Sequence, residues 1–310
     1  MSVLPSNARV FRAPQVRAAI VSVAAGVAIL VFKFGAYVLT GSVAILSDAA
    51  ESVVNVVAAN VALISLVVAA RPPDEGHQYG HGKAEYVSGA TEGAMIFVAG
   101  AWILAAAGVR LVSPQPLRNL DWGFAVLGVA TAANYLTARF LLRVSREAHS
   151  VALEADARHL LADVLTSVGV FAGLGLAWLV NQPRLDAIVG GLVAIHVLRL
   201  GVSVYLQSVG GLMDTSLPPA EEAAVRKILD AHQTEIVEYH ALRSRRAGTA
   251  RFLDLHLVLH RTLSVGEAHA FCDDLEGHVQ EVLPGTDITI HVEPCGPDCP
   301  VCARRTAKTP

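Results

Sequence analysis

The apolar and polar positions of this chain fall into two regimes. As far as about Gln207, long apolar stretches follow one another with short polar breaks. Windows of about 19 to 20 residues predict six membrane-spanning helices: Arg17 to Leu39, Val43 to Ala69, Val87 to Val112, Trp122 to Leu142, Leu160 to Val180 and Leu185 to Gln207. The connection Thr40 to Ser42 makes the first two a tight hairpin. From about Pro218 the period changes. Pro219 to His232 and Val265 to Val282 read as helices, whereas Ile236 to Ser244, Arg251 to His260 and Asp287 to Val292 read as strands. That order predicts a small α+β sandwich. The expected fold is a six-helix, all-α membrane domain followed by an αββαβ domain. The boundaries are 1–16 for an N-terminal tail, 17–208 for the membrane domain, 209–217 for a linker, 218–294 for the sandwich and 295–310 for a cysteine-containing tail.

Composition agrees. Of 310 residues, 53% are hydrophobic and 16% charged, and the mean hydropathy is +0.49, too apolar for an ordinary soluble domain. Met1 to Val16 has no short apolar core ahead of the first span and reads as a tail rather than a cleavable signal. Basic residues predict orientation. Arg9, Arg12, Arg17, Arg71, Lys83, Arg139, Arg143 and Arg146 fall on one side, against Arg110, Arg118 and Arg184 on the other. This excess places both termini in the cytoplasm of a multi-pass cell-membrane protein whose surroundings are the lipid bilayer. A net charge of -3 and the lack of any basic run argue against a nucleic-acid partner. Lys33 and Arg199 fall within spans, where snorkelling to the interface and lining a cavity are both open. The third span is rich in small residues, which permits close helix packing, and its Glu92 is assigned no role.

The polar residues inside the spans carry the functional signal. In LSDAAESVVNVVAAN, steps of three, four and seven residues put Asp48, Glu51 and Asn55 on one helical face. A charge at bilayer depth costs ~2.5 to 3.5 kcal/mol on insertion scales, so such groups line bundle interiors and mark ion or proton paths. His159 and Asp163, spaced i, i+4, form a second cluster. Imidazole and carboxylate both ligate zinc near ~2 Å, so two helices each offering such a pair can cage a borderline divalent ion. The rival reading is a buried polar network that only fixes helix packing. Glu154, Asp156 and Arg158 read as a charged face among the headgroups.

Further candidates lie outside the spans. The loop RPPDEGHQYGHGKAE contains Asp74, His77 and His81, a carboxylate and two imidazoles at D-x2-H-x3-H spacing. Metal binding and simple exposure are both open there. The sandwich holds His240, His256, His260, His269, His278 and His291, with Glu293 beside the last. Strand histidines commonly face solvent, so density alone does not decide. Cys295, Cys299 and Cys302 form C-x3-C-x2-C, one ligand short of a closed zinc site. In a reducing compartment such thiols bind metal rather than cross-link, whereas Cys272 reads as packing.

Taken together these segments resemble the cation diffusion facilitator family, and closely its bacterial zinc and iron (ferrous-iron) efflux branch. The resemblance runs from about Val16 to Pro294 and rests on TGSVAILSDA, GHQYGHGKAE, ALEADARHLLADVLTSVG from Ala152 to Gly169, LMDTSLP and LHL. It implies a homodimeric exchanger of divalent metal for protons, without organic cofactor. Zn2+ is the first expectation, ahead of Fe2+, Mn2+, Co2+ and Cd2+. It also implies a metallochaperone-like (ferredoxin-like) fold for the αββαβ domain. By position it implies a transport site of Glu51, Asn55, His159 and Asp163, with Asp48 as an extra carboxylate one turn earlier. A loop site would use Asp74, His77 and His81. A cytoplasmic dimer-interface site would use His240, His256, His269, His291 and Glu293, the last replacing an aspartate. Lys83 and Asp214 match a charged pair that joins the membrane halves of the dimer.

One departure stands out. The branch offers Asp or His followed four residues later by Asp, whereas this chain has Glu51 and Asn55, which leaves the metal open. The CPVC end of the tail lies outside the resemblance. The expected activity is therefore secondary active transport rather than enzymatic. The alternatives are a membrane-bound metal sensor without transport and, further off, a membrane metallohydrolase, for which no HExxH motif exists in the sequence.

Overall fold

A computed structural model describes residues 13–40, 43–113, 121–180, 184–297 and 299. On the second helix it leaves the side chains of residues 43–51 outside the description. The chain divides after Leu212 into two compact units.

The first unit contains α1 (Pro14–Thr40), α2 (Val43–Ala69), α3 (Ala84–Val112), α4 (Asp121–Ala148), α5 (Val151–Val180) and α6 (Arg184–Leu212). All but α5 carry described apolar stretches long enough to cross a membrane. The 30 residues of α5 extend about 45 Å at 1.5 Å per residue, more than the ~30 Å of a hydrocarbon core. The helices outrun the predicted spans. Arg143 and Arg146, beyond the predicted end of the fourth span at Leu142, continue α4, as arginine is a good helix former once the apolar window ends.

The start of α5 is built by a neighbouring helix. The Leu153 amide donates to Ser150 Oγ at 3.4 Å. Ser150 Oγ donates to Glu85 Oε2 at 2.5 Å, and the Ala152 amide donates to the same oxygen at 3.3 Å. Glu85, from the GHGKAE segment, is buried, so its carboxylate satisfies the otherwise unpaired Ala152 amide and holds the Ser150 hydroxyl at the positive end of α5. The helix that carries His159 and Asp163 is thereby tied to the start of α3.

Small residues set the spacing of α3 against α6. A Cβ at Gly93 would fall 2.5 Å from the Tyr205 nitrogen, and one at Gly201 would fall 2.6 Å from the Phe97 nitrogen. The two backbones are in direct contact, as the small-residue pattern of the third span predicted. Within this packing Glu92 is fully buried, and Ser88 Oγ donates to its Oε1 at 3.2 Å. Asp156 corrects a sequence expectation: it is 1% exposed rather than part of a headgroup face. The charged face there is made by Glu154 and Arg158, paired at 2.6 Å one turn apart. Asp156, two residues from each, turns inward instead.

The second unit runs α7 (Pro219–Ala231), β1 (Ile236–Ala247), β2 (Ala250–Leu259), α8 (Val265–Val282) and β3 (Thr286–Pro294). Its sheet has the order β1-β2-β3. β1 and β2 are antiparallel, joined through Gly248, whose φ of 61° suits the first position of a two-residue hairpin turn. β2 and β3 are parallel, so the chain must cross over, and α8 is that crossover. A capping box of Ser264 and Glu267 starts α8. Leu253, Leu255, Leu257 and Leu259 alternate along β2 and pack with Val225 and Leu229 of α7 and Leu275 and Val279 of α8. Each such side chain contributes about 1.5 to 3 kcal/mol by burial. Cys272 joins this core, and burial raises its thiol pKa.

Candidate metal sites

The first site lies between α2 and α5. Asn55 projects from α2, and His159 and Asp163 from successive turns of α5. His159 Nε2 is 3.0 Å from Asn55 Oδ1, and Asn55 Nδ2 donates to Asp163 Oδ2 at 2.5 Å. His159 is 4% exposed. Three of the four expected transport ligands therefore meet in one hydrogen-bonded cluster. The side chains of Asp48 and Glu51 lie outside the described residues, on the preceding turns of α2. Chemically the Asn55 amide links an imidazole to a carboxylate. The cluster thus offers nitrogen and oxygen donors of the kinds that ligate a borderline dication.

Two small cavities meet at this cluster. Both are lined by Asn55 and Asn134; Ser22 and Ser52 line one, and Lys33, Thr131 and Asp163 the other. Lys33 is 4% exposed, which settles its case in favour of cavity lining, whereas Arg199 is exposed. Asn134 on α4 was missed in the sequence. The signal was available, because an amide within an apolar span invites the reasoning applied to Asn55.

The loop between α2 and α3 folds around Asp74. Its Oδ1 accepts the amides of Gly76 at 2.9 Å and His77 at 2.7 Å. His77 Nδ1 is 3.3 Å from Oδ1, and His81 Nε2 is 3.2 Å from Oδ2. Gly80, at φ 81°, allows the chain to return. One ligand atom from each of Asp74, His77 and His81 lies within 4.8 Å of the others. The His77 amide, first among the causes, holds the Asp74 carboxyl below its ordinary pKa. The three residues proposed from spacing are together.

In the second unit, strand register makes a row of histidines. His240 pairs across from His256, and His256 from His291, all on the sheet face away from the leucines. Glu293 is the shared neighbour. Its carboxylate lies 2.9 Å from His256 Nδ1, 3.7 Å from His240 Nε2 and 3.8 Å from His291 Nε2. His269 does not join them within one chain. It sits on α8 beside Asp273 at 3.6 Å, and α8 covers the opposite face, so only a second chain can bring a His269 to this row. Cys295 is buried, and its amide donates to the Leu259 carbonyl at 2.9 Å, extending the β2–β3 pairing. Cys299 is half-buried and Cys302 lies outside the described residues. Within the first unit Lys83 Nζ donates to the Leu212 carbonyl at 3.4 Å. Within the second, Asp214 pairs with Arg245 at 3.5 Å.

Comparison with known proteins follows the same division. The sequence model of the cation efflux transmembrane domain matches residues 19–213, and that of the cation efflux protein cytoplasmic domain matches residues 217–295. An uncharacterized transporter from Synechocystis sp. is 39% identical over 276 residues, 89% of each chain. The cation-efflux pump FieF of Salmonella typhi is 30% identical over 279 residues, covering 90% of this chain and 92% of that protein. FieF of Pectobacterium atrosepticum is 31% identical over 277 residues, with 89% and 92% covered. A solved structure of the candidate zinc transporter CzrB, in a zinc form, is 42% identical with a TM-score of 0.26, covering 27% of this chain and 96% of that one.

Proposed function

The chain belongs to the cation efflux family, the cation diffusion facilitators, which are multi-pass membrane transporters of metal cations and not enzymes, and from that premise we propose that it exports a divalent transition metal, zinc foremost, in exchange for protons. The observation that carries this reading is the cluster of Asn55, His159 and Asp163, drawn from two helices into a partly buried site around the buried His159. Metal and protons compete for the imidazole and the carboxylates, since both must be deprotonated to ligate. Exchange follows if the site faces the cytoplasm when it takes metal and the outside when it takes protons.

In this reading residues 17–208 form the transport domain, with α5 as its sixth span, and both termini are cytoplasmic. Residues 218–294 form a metallochaperone-like domain that dimerises. The row of His240, His256 and His291 around Glu293 binds cytoplasmic metal and, with His269 from a second chain, favours one arrangement of the homodimer through its differential affinity. Lys83 and Asp214 contribute to holding the dimer. The loop site of Asp74, His77 and His81 and a tail site with Cys295, Cys299 and Cys302 are secondary binding positions. Glu51 completes the transport site, and Asp48 stands by as a further carboxylate. With an amide at Asn55 the set has one nitrogen and three oxygens, harder than a two-histidine cage and so more open to Mn2+ and Fe2+ than a stricter zinc site.

Purified protein in liposomes, given zinc on one side and a proton gradient across the membrane, tests the proposal. A carrier moves zinc with opposite movement of protons, and competition by Fe2+, Mn2+, Co2+ and Cd2+ then ranks its metals. Binding without movement would make the protein a sensor and refute the export reading.

A further inference from the structure

On the helical side of the C-terminal sandwich, three side chains outside the sites above converge: His232 at the end of α7, and Asp274 and His278 one turn apart on α8. We propose that His232, Asp274 and His278 form a further binding site for a borderline divalent transition-metal ion such as Zn2+, on the side of the domain opposite the row of His240, His256 and His291.

The geometry is that of a site in which each donor is nearly in place. One ligand atom from each residue lies within 4.8 Å of the others. His278 Nδ1 faces Asp274 Oδ2 at 3.6 Å, beyond hydrogen-bond length. It is a buried nitrogen with no hydrogen-bond partner among the described residues, an unfavourable state that coordination would relieve. His232 is prepared differently. Its Nδ1 donates to the Ile228 carbonyl at 2.8 Å, which leaves the lone pair on Nε2 and fixes the ring, as a backbone carbonyl commonly does for an imidazole that binds metal. Phe271 stands edge-on to the same ring at 6.0 Å, and the His232 and His278 rings are 5.2 Å apart. Donors on a tetrahedral zinc are about 3.3 Å from one another. Asp274 is exposed and His278 half-exposed, so small rotations of these two close the remaining distance while His232 stays fixed.

The donor set selects the class of ion. Two imidazoles and one carboxylate suit zinc or cobalt and leave one tetrahedral position for water, whereas Ca2+ and Mg2+ prefer all-oxygen shells. The C-terminal end of α7, where His232 stands, also carries the partial negative charge of the helix dipole, which favours a cation. Because the ligands come from the end of α7 and from α8, a bound ion would tie together the two helices that cover the sheet.

The test uses the full-length protein in detergent. Zinc should slow the modification of His232 and His278 by diethyl pyrocarbonate, read peptide by peptide in the mass spectrometer, by about ten-fold at saturating metal. Asp274→Asn should remove that protection while zinc still shields His256. In metal analysis at saturation, His278→Ala should bind about one zinc fewer per chain. Equal modification of His232 and His278 with zinc and with chelator overturns the site, and this measurement on the unaltered protein decides even where a variant folds poorly. Undiminished zinc content in His278→Ala overturns it as well. The readout is occupancy rather than transport, so a failure here leaves the reading of the membrane site as it stands.

Discussion

The cluster between α2 and α5 and the histidine row on the C-terminal sheet use the same ligand types in opposite settings. Asn55, His159 and Asp163 are hydrogen-bonded to one another across two helices, with His159 almost fully buried. His240, His256 and His291 are brought together by strand register on an outward face, with the His291 side chain 66% exposed. Removing a buried donor leaves its partners unsatisfied in a low-dielectric interior, whereas an exposed position is refilled by water. The first arrangement suits a site that must exchange cargo for protons without leakage. The second suits a site in equilibrium with the surrounding solution.

The largest expected effect is at the buried site. His159→Ala should lower zinc transport by about 100-fold or more, since it deletes the one nitrogen ligand and strands the Asn55 oxygen. The paired change His256→Ala with His291→Ala should leave transport present and remove the zinc dependence of self-association, measured by sedimentation with zinc and with chelator. Equal losses of transport in the two proteins would erase the contrast between the sites.

A smaller effect sharpens the contrast. Asn55→Asp adds a negative charge to the partly buried cluster and should tighten zinc binding about ten-fold, equivalent to ~1.4 kcal/mol, while shifting the zinc-to-manganese preference toward zinc. Asp48→Asn should weaken binding only modestly. Metal competition in liposomes reads both, and unchanged preferences in Asn55→Asp would place Asn55 outside the metal's ligands.

The smallest effect concerns the loop. The Asp74 carboxyl has a lowered pKa, so the loop order it supports is present above the ordinary carboxylate value and is lost only as pH falls through the lowered one. On acidification the His77 amide should therefore stay protected until the carboxylate range has been passed, while zinc binding by the loop, which needs deprotonated ligands, weakens first. Amide exchange at His77 and zinc titration, followed together, check this order of events.

Where the structure agrees with the sequence and where it departs has a physical pattern. The pair His159 and Asp163 was legible because helical spacing alone puts both on one face, and Asp74, His77 and His81 because one short loop contains all three. The buried carboxylate of Asp156 was not, since helix periodicity says which residues share a face but not what covers it. Lys33 and Asn134 are single polar residues in apolar spans, and only packing shows that both reach the Asn55 cavities. The histidine row depends on register, including a shift between His240 and Arg243 that alternation along a strand does not encode. The convergence of His232 with Asp274 and His278 depends on how α7 and α8 pack after an intervening hairpin. That is a tertiary fact with no trace in local spacing.

The most direct test of the central claim counts protons and zinc together. Liposomes containing the protein and a trapped pH indicator, given zinc outside, should show zinc entry with simultaneous proton exit, and a gradient that opposes proton exit should slow zinc in proportion. His159→Ala liposomes should show neither flux. Zinc entry that ignores the proton gradient, or coupled fluxes that persist in His159→Ala, would contradict exchange at the Asn55, His159 and Asp163 site.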